Sequence, residues 1–399
     1  MKLIKFFSLP LLLSLLIISL SFNENLWLNV WIFLNVPSQL PVFSDFDSIS
    51  KSLLSMQQGY NPYIENPNDI SGGKYMYPSV WLHVFETLNL SNSINFILIC
   101  FISIFSYFLC IFDLVKKIDK KYFTIFTIIF FFSTSNLLLI ERLNIELIIF
   151  VFIYISLISK NILFKNIFFS FSIIGKIFPI FGILFLLDNK KNFLIMLIVI
   201  SLFFFLFNKE IILLSGNIIE YALTIAYGVV TYAKAIYYYS VHFEWIINDQ
   251  NYSVFKYLLI LFFSFISFVL FIQNFKRHEL EKVLHLDMNN FDFKEKLFMF
   301  GGGLYVGTFL ISANLDYRLI FLLFTVPYSL SEFPRIFKIA YPIMCLIILN
   351  SILFEGGDRY SLFYFFKASL IHSIKLIIFV LLSIFLGNLL KKKLSKKSL

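Results

Sequence analysis

The stretch SINFILICFISIFSYFLCIFDLV, residues 93–115, decides the class of fold. A helix needs about 20 apolar residues to cross a bilayer, and this run supplies them. The charged cluster KKIDKK, residues 116–121, follows it directly. Similar apolar runs, separated by short charged clusters, lie at about 6–22, 93–115, 122–140, 145–159, 192–207, 254–274, 297–313, 318–331, 339–354 and 369–390. The pattern predicts an all-α polytopic membrane protein with about ten transmembrane helices.

Composition indicates the same class. Of the 399 residues, 59% are hydrophobic and 14% are charged, and the mean hydropathy is +0.84. These values exclude an ordinary soluble domain. Cys100, Cys110 and Cys345 lie inside apolar runs without metal-ligand spacing, so we expect them to be buried packing residues. The sequence contains no P-loop, zinc-type Cys/His spacing, nucleophile elbow or Gly-rich dinucleotide turn.

Basic residues predict the orientation in the membrane. Their clusters can all be placed on one face, namely Lys2 and Lys5, residues 116–121, Lys160 and Lys165, Lys190 and Lys191, residues 276–282, Arg335 and Lys338, and the tail 391–397. By the positive-inside rule this face is cytoplasmic, and both termini lie inside. Topology and anionic lipid then explain the net charge of +9, and no nucleic-acid partner is expected.

One apolar segment does not fit simple alternation. Residues 166–187 have lysines at both ends, and Gly175, Lys176 and Pro179 interrupt the middle. We interpret the segment as a re-entrant hairpin that enters and leaves on the cytoplasmic side, with a plain span as the alternative. The first apolar run lacks a small-residue cleavage site and is expected to remain as a span.

This topology places most carboxylates and arginines on the non-cytoplasmic face. That face receives the external loop 23–92, residues 141–146, an interfacial segment 208–253, residues 314–318 and residues 355–361. Within 208–253, Tyr and Trp favour the headgroup level, and the aromatic stretch 217–245 is read as a helix lying on the membrane. A spanning helix over 217–240 is the alternative. Any chemistry is expected on this outer face.

An amphipathic helix is predicted in the external loop over SDFDSISKSLLSMQQGYNPY, residues 44–63. Ser44 has the features of an N-cap, with Asp47 three residues later as in a capping box. Residues i and i+2 point about 200° apart on a helix, so Asp45 and Asp47 are not expected to face one site. Asp45 is then free to face a cleft, although a favourable charge at a helix N-terminus explains it equally well.

Four motifs, in order, resemble those of the family-87 glycosyltransferases, which are GT-C-type enzymes that use polyprenyl-phosphate sugars. They are Asp45-Phe46 with Gly59, NPY at 61–63 and YMYPSVWLHVFETL at 75–88; ERLNIELIIF at 141–150; GKIFPIF at 175–181; and NLDYRLIFLLFTVP at 314–327. The resemblance covers roughly residues 40 to 330. Leu143 stands where the family pattern has glycine, which puts a close backbone approach at that loop in doubt.

The resemblance implies a single GT-C-like transmembrane domain over 1–399 and a transfer reaction that inverts the anomeric carbon. Such a reaction needs a base for the acceptor hydroxyl and cations for the departing phosphate. Asp45 is the candidate base, with Asp47 in reserve. Arg142, Arg318 and Lys176 are the candidate phosphate ligands. Pairing of Arg142 with Glu146, pairing of Arg318 with Asp316, and a snorkelling Lys176 are the alternatives.

Further substrate-binding residues are expected within the same motifs and the aromatic stretch. They are Asn61, Tyr63, Tyr77, Asn144, Glu146, His242, Asp316 and Tyr317. A merely interfacial role beside Trp245 is the alternative for His242.

The expected function is therefore transfer of a sugar, with mannose foremost, from a polyprenyl-phosphate donor to a glycan or lipid acceptor. The expected location is the outward face of a bacterial inner membrane, in the service of the cell envelope. No metal or other cofactor is expected. A flippase or transporter for lipid-linked oligosaccharides, and a cell-surface polysaccharide polymerase or ligase, are the alternatives.

Overall fold

A computed structural model describes residues 2–69, 73–117, 124, 127, 133–216, 226–242, 249–273, 275, 291–311, 313–354 and 362–395. The described part of the chain is mainly helical with two short strands, which confirms the all-α prediction. It divides into two compact units, the first formed by Met1–Ile177 and Ile198–Ile218, the second by Phe178–Leu197 and Ile219–Leu399.

Helices build the first unit. They are α1 (Lys2–Ser21), α2 (Glu24–Phe33), α3 (Ser44–Gln57), α4 (Val80–Thr87), α5 (Ser93–Lys116), α6 (Thr134–Arg142), α7 (Glu146–Ile158), α8 (Ile162–Gly175), the end of α9 (Lys190–Leu206) and α10 (Asn208–Gly216). Helix α5 packs against α1 and α7, and α7 packs against α8. Helix α3 packs against α4 and α6, which brings its apolar face into the core.

The second unit has short non-helical elements between its helices. A 3-10 helix, Phe178–Asp188, is followed by the start of α9, β1 (Ala226–Tyr227), α11 (Val229–His242), α12 (Asp249–Ile272), α13 (Phe293–Ile311), β2 (Asn314–Leu315), a 3-10 helix (Asp316–Phe324), α14 (Val326–Glu332), α15 (Arg335–Leu349), a 3-10 turn (Ser351–Phe354) and α16 (Leu362–Ser395). Strands β1 and β2 pair antiparallel, with Ala226 opposite Leu315.

A glycine run lets α13 approach the 3-10 helix 178–188 closely. A Cβ on Gly303 would lie 2.5 Å from the Phe181 carbonyl oxygen, and one on Gly307 would overlap the Phe181 ring. Since real Cβ atoms do not approach so closely, larger residues would force these two elements apart. Helix α13 also packs against α16.

Three of the described helices are long and apolar enough to cross a membrane: Ser93–Lys116, Asn251–Ile272 and Phe363–Lys393. A fourth span results if Lys190–Leu206 and Asn208–Leu214, bent by 74°, form one crossing. Shorter apolar helices occupy Phe7–Ser21, Glu146–Ile158, Ile162–Gly175 and Phe178–Leu187. These helices are consistent with a membrane protein, while the predicted number of about ten spans stays a prediction.

The structure changes one predicted segment and leaves part of another undescribed. The predicted span 318–331 is broken, because the 3-10 helix ends at Phe324 and α14 begins at Val326 with Pro327 in its first turn. Of the predicted run 122–140, residues 122–123, 125–126 and 128–132 lie outside the described residues, and α6 covers the rest from Thr134. By contrast, the chain breaks at the predicted place near Gly175, where α8 ends and Lys176 is extended.

Candidate active site

Helix α3 carries both candidate aspartates in its first turn. Phe46, Ile49 and Leu53 are buried at helical spacing on the core side, which fixes the rotation of the helix. The predicted N-cap is wrong by one residue, because Phe43 occupies that position and Ser44 is already helical. Phe43 has φ 58°, in the left-handed region, and its ring packs edge-on against Trp27 at 5.0 Å. Packing of Phe43, rather than a side-chain cap, therefore sets where α3 begins.

The turn between α6 and α7 positions the next motif. Leu143 ends α6 with φ 44° and ψ 47°, a left-handed conformation that glycine adopts at little cost. The following residue, Asn144, accepts a hydrogen bond from the Glu146 backbone N–H at 3.0 Å through its side-chain oxygen. Since that bond fixes the amide group, the Asn144 Nδ2 donor points in one direction.

Asp45 and Asn144 meet across these two elements. Asn144 Nδ2 donates to Asp45 Oδ2 at 2.5 Å and lies 3.2 Å from the Tyr77 hydroxyl. Arg142 Nη1 lies 4.0 Å from Asp45 Oδ1. The Asp45 side chain is 22% exposed, so it remains accessible from one side. The structure thus brings together Asp45, Tyr77, Arg142 and Asn144.

Arg142 is held by groups that the sequence did not identify. Its Nε lies 2.9 Å from Glu141 Oε2, its Nη1 donates to Ser44 Oγ at 3.4 Å, and its Nη2 donates to the Pro37 carbonyl at 3.1 Å. Glu141 is fully buried and also accepts from Ser38 Oγ at 2.8 Å. The sequence shows that Glu141 and Arg142 are adjacent, but the burial that makes this pair strong is visible only in the structure.

The alternative pairing of Arg142 with Glu146 is wrong. The left-handed residue Leu143 interrupts the helix between them, so the i,i+4 geometry does not exist there. Glu146 instead contacts Lys176, whose Nζ lies 2.8 Å from Glu146 Oε1. Lys176 is 13% exposed, and its ammonium group also lies 5.1 Å from the centroid of the Tyr77 ring. Lys176 therefore reaches Tyr77 from the break after α8.

Residues 61–63 and 75–79 form a second polar cluster in the same unit. The Tyr63 hydroxyl lies 3.1 Å from the Tyr77 carbonyl oxygen and 3.2 Å from Glu210 Oε1. Glu210, on α10, also accepts from the Ser79 backbone N–H at 2.5 Å and from Ser79 Oγ at 2.8 Å. This cluster ties the loop that carries Tyr77 to α10. Asn61 has a local role, because its side-chain oxygen accepts from the Tyr63 N–H at 3.1 Å.

Burial dominates the electrostatics of the carboxyl groups. Desolvation raises the pKa of Asp45 above its ordinary value, although Arg142, the Asn144 hydrogen bond and Lys176 act in the opposite direction. Desolvation likewise raises the pKa of Asp47, opposed by Lys51. The pKa of Glu141 is raised for the same reason in spite of Arg142. A raised pKa makes Asp45 a better proton acceptor than an ordinary Asp.

A cleft of about 250 Å³ with polar and apolar lining residues opens beside α3. Both aspartates line it, which corrects the expectation that they cannot face one site. At about 100° per residue, the lining residues of α3 occupy an arc of roughly 160°, with Asp47 at one edge and Asp45 at the other. The remaining lining residues are Gln39, Leu40, Pro41, Ser44, Ser48, Lys51, Asp69, Gly73, Lys74, Met76 and Tyr77.

The late motif lies in the second unit. Both Asp316 oxygens contact Lys375 Nζ, at 2.9 and 3.0 Å, and the Ser351 hydroxyl also donates to this carboxylate. Lys375 is fully buried and donates to the Ala226 carbonyl at 3.0 Å. Pairing of Asp316 with Arg318 is the alternative stated above, and the structure places Lys375 on this carboxylate. In the sequence, Lys375 lies within the apolar run 369–390, and an ionisable residue in such a run indicates a buried ion pair or a functional site.

Arg318 contacts Asn314 and Phe178. Arg318 Nη1 donates to the Asn314 side-chain oxygen, and its guanidinium lies 4.9 Å from the centroid of the Phe178 ring. Tyr317 is buried. His242 ends α11, and its side chain lies outside the described part of the structure. Among the described residues, no group of three or more His, Cys, Asp or Glu side chains could hold a metal ion.

Comparisons with protein-family models, with curated proteins and with solved structures gave no match to this chain.

Proposed function

We propose that this chain is a GT-C-type integral membrane glycosyltransferase that takes a sugar, with mannose foremost, from a polyprenyl-phosphate donor. The proposed topology has about ten spans, a re-entrant hairpin over 166–187 and both termini in the cytoplasm. Loop 23–92 and segment 208–253 then face outward from a bacterial inner membrane. The acceptor is a lipid or a glycan of the cell envelope.

The contact between Asp45, Asn144 and Arg142 carries this proposal. It joins a carboxylate that borders an open cleft to a guanidinium within 4.0 Å. The carboxylate meets the requirement for a base, and the guanidinium meets the requirement for a group that stabilises a departing phosphate. The residues come from two of the four motifs that resemble the family, although they are about a hundred positions apart in the chain.

The proposed reaction is a single displacement. Asp45 accepts the proton of the acceptor hydroxyl, whose oxygen forms a bond to the anomeric carbon as the bond from that carbon to the phosphate oxygen breaks. The electron pair of the broken bond leaves with polyprenyl phosphate, and Arg142 stabilises the added charge. Asn144 holds Asp45 in place, and Lys176 is close enough to Tyr77 to add positive potential. Arg318 is proposed as a further phosphate ligand.

A second candidate function is a flippase or transporter for lipid-linked oligosaccharides. The buried pair of Lys375 and Asp316 favours it, because Lys375 lies on a helix that could cross a membrane. Ionisable residues at such positions often belong to a substrate or ion pathway. The fully satisfied hydrogen bonding of the Lys375 ammonium group suits a structural role equally well.

Transfer assays separate the two functions. Purified protein is supplied with a labelled polyprenyl-phosphate sugar and a panel of glycan and lipid acceptors. The proposal expects labelled product, and a loss of about 10²-fold or more in kcat for Asp45→Asn, because the amide cannot accept the proton. Glu86→Gln, at an exposed position on α4, serves as the matched control. Transbilayer movement of labelled donor in vesicles, without any product, supports the transporter instead.

A further inference from the structure

We infer that the cleft beside α3 is the acceptor subsite and that it binds one uncharged, hydroxyl-rich sugar ring. The inference rests on the proposed function, which leaves open whether the acceptor presents a glycan, a charged headgroup or a hydrocarbon chain. Its evidence is the composition of the cleft wall, the state of the groups in it and the position of Asp45 at its edge.

The wall of the cleft is suited to hydroxyl groups. It presents carboxylates from Asp45, Asp47 and Asp69 and ammonium groups from Lys51 and Lys74, so both strong acceptors and strong donors line one small space. A hydrocarbon chain would leave these groups desolvated and unpaired. A sugar ring, with donors and acceptors around its edge, can satisfy both kinds.

The charge balance favours a neutral ligand over an anionic one. Three carboxylates face two ammonium groups, and Asp45 and Asp47 stand at opposite edges of the arc that α3 contributes. A ligand with its own carboxylate or phosphate would lie near at least one of these acids wherever it entered. The carboxylates of the wall are therefore sufficient to disfavour anionic ligands.

Some of the polar groups in the cleft are already held, whereas others are available. Asp69 accepts from Ser48 Oγ at 2.7 Å and from the Gly73 N–H at 3.2 Å, which makes one side of the cleft rigid. Within the part of the chain that the structure describes, the side chains of Asp47, Lys51 and Lys74 take part in no hydrogen bond or ion pair. Those three side chains can therefore bind a ligand without breaking a hydrogen bond.

The size of the cleft and the position of Asp45 also favour a single sugar ring. Pockets for drug-sized ligands measure about 300–1,000 Å³, and a cleft of about 250 Å³ suits one ring better than a long chain. Asp45 lies at its edge and also within 4.0 Å of Arg142. A hydroxyl of a ring in the cleft can thus reach Asp45. We assign acceptor recognition to Asp47, Lys51 and Lys74 on this basis.

Ligand-detected NMR on the full chain in nanodiscs tests the inference without any donor. Methyl α-mannopyranoside and methyl α-glucopyranoside are the neutral probes, and methyl glucuronoside is the anionic one of similar size. The neutral probes are expected to bind and the glucuronoside to bind at least about fivefold more weakly. Asp47→Ala and Lys51→Ala are expected to weaken neutral binding about tenfold, while Glu86→Gln leaves it unchanged. Thermal unfolding of each variant checks that it is folded.

The outcomes distinguish this inference from the proposed function. Equal binding of the neutral probes by the wild type and by folded Asp47→Ala overturns the subsite, as does stronger binding of the glucuronoside. If a transfer assay works and Asp47→Ala leaves the acceptor KM unchanged, the subsite is wrong and the glycosyltransferase proposal stands. If the probes bind at the cleft and no donor gives product, the subsite stands and the transferase proposal fails.

Discussion

At the scale of single residues, Asp45 is the proposed base, and its carboxylate carries a desolvation cost. Its folded pKa is raised above 3.8, so the folded protein binds this proton more tightly than the unfolded chain does. Stability from this group is therefore present at low pH and is lost as the pH rises from about 4 through the raised pKa. Asp45→Asn has no carboxyl group that loses a proton, so this variant does not lose stability in this way as the pH rises.

We expect Asp45→Asn to have a higher unfolding temperature than the wild type at pH 7, and the difference to shrink towards pH 4. Thermal unfolding followed by tryptophan fluorescence between pH 4 and pH 8 measures it. Glu65→Gln, which replaces an exposed carboxylate elsewhere in the same loop, is the matched control. The assignment of a desolvated carboxylate is contradicted if the unfolding temperature of Asp45→Asn, taken relative to that of the wild type, is lower at pH 7 than at pH 4.

Leu143 offers a second test at this scale. Its left-handed backbone costs a residue other than glycine about 1–2 kcal/mol, while its buried side chain contributes to the core. Both Leu143→Ala and Leu143→Gly lose the side chain, but only glycine relieves the backbone. We expect Leu143→Gly to be about 1 kcal/mol more stable than Leu143→Ala, the reverse of their order inside a helix. Chemical unfolding of the two variants in parallel would expose the opposite order.

At the scale of elements, the pair formed by Lys375 and Asp316 ties α16 to the 3-10 helix 316–324. Removing one partner leaves a buried charge unpaired, which typically costs about 3–5 kcal/mol. We expect Lys375→Met and Asp316→Leu each to destabilise the protein strongly, and the double variant to lose less than the two single losses combined. Thermal unfolding of all four proteins gives the coupling. Additive losses would show that the pair does not act as a unit.

How much of these elements the sequence could predict depends on the range of the interaction. Apolar runs and the Gly175 to Pro179 interruption are local, and helices α5, α12 and α16 and the break after α8 follow from them. The partners of Arg142 are not local. The i,i+4 rule does not apply because the backbone of Leu143 is left-handed and not helical. A leucine at this position gives no sign of that backbone conformation.

The candidate site shows the same division. The motifs contained Asp45, Arg142, Asn144 and Tyr77, but their order along the chain could not show that Asn144 donates to Asp45. Nor could it show that both aspartates line one cleft, since that cleft also needs Asp69 and residues of the range 73–77 to lie beside α3. Contacts between residues far apart in the sequence are known only from the tertiary structure, whereas residue types and helical periodicity are visible in the sequence.

At the scale of the whole molecule, the proposed topology turns on the segment 166–187. A re-entrant hairpin returns Lys190 and Lys191 to the face that holds Lys160, whereas a plain span carries them to the opposite face. The positive-inside rule favours the hairpin because it keeps these lysines together. The side chain of Lys191 is exposed, so a cysteine placed there is open to labelling.

We expect Lys191→Cys to resist a membrane-impermeant maleimide in intact cells and to react after permeabilisation, as Lys160→Cys does. Gln58→Cys, exposed at the end of α3, should react in intact cells because the proposed topology places loop 23–92 outside. The native cysteines Cys100, Cys110 and Cys345 are buried and should give little background. Labelling of Lys191→Cys without permeabilisation would replace the hairpin with a span, and the proposed sidedness of every later segment would then invert.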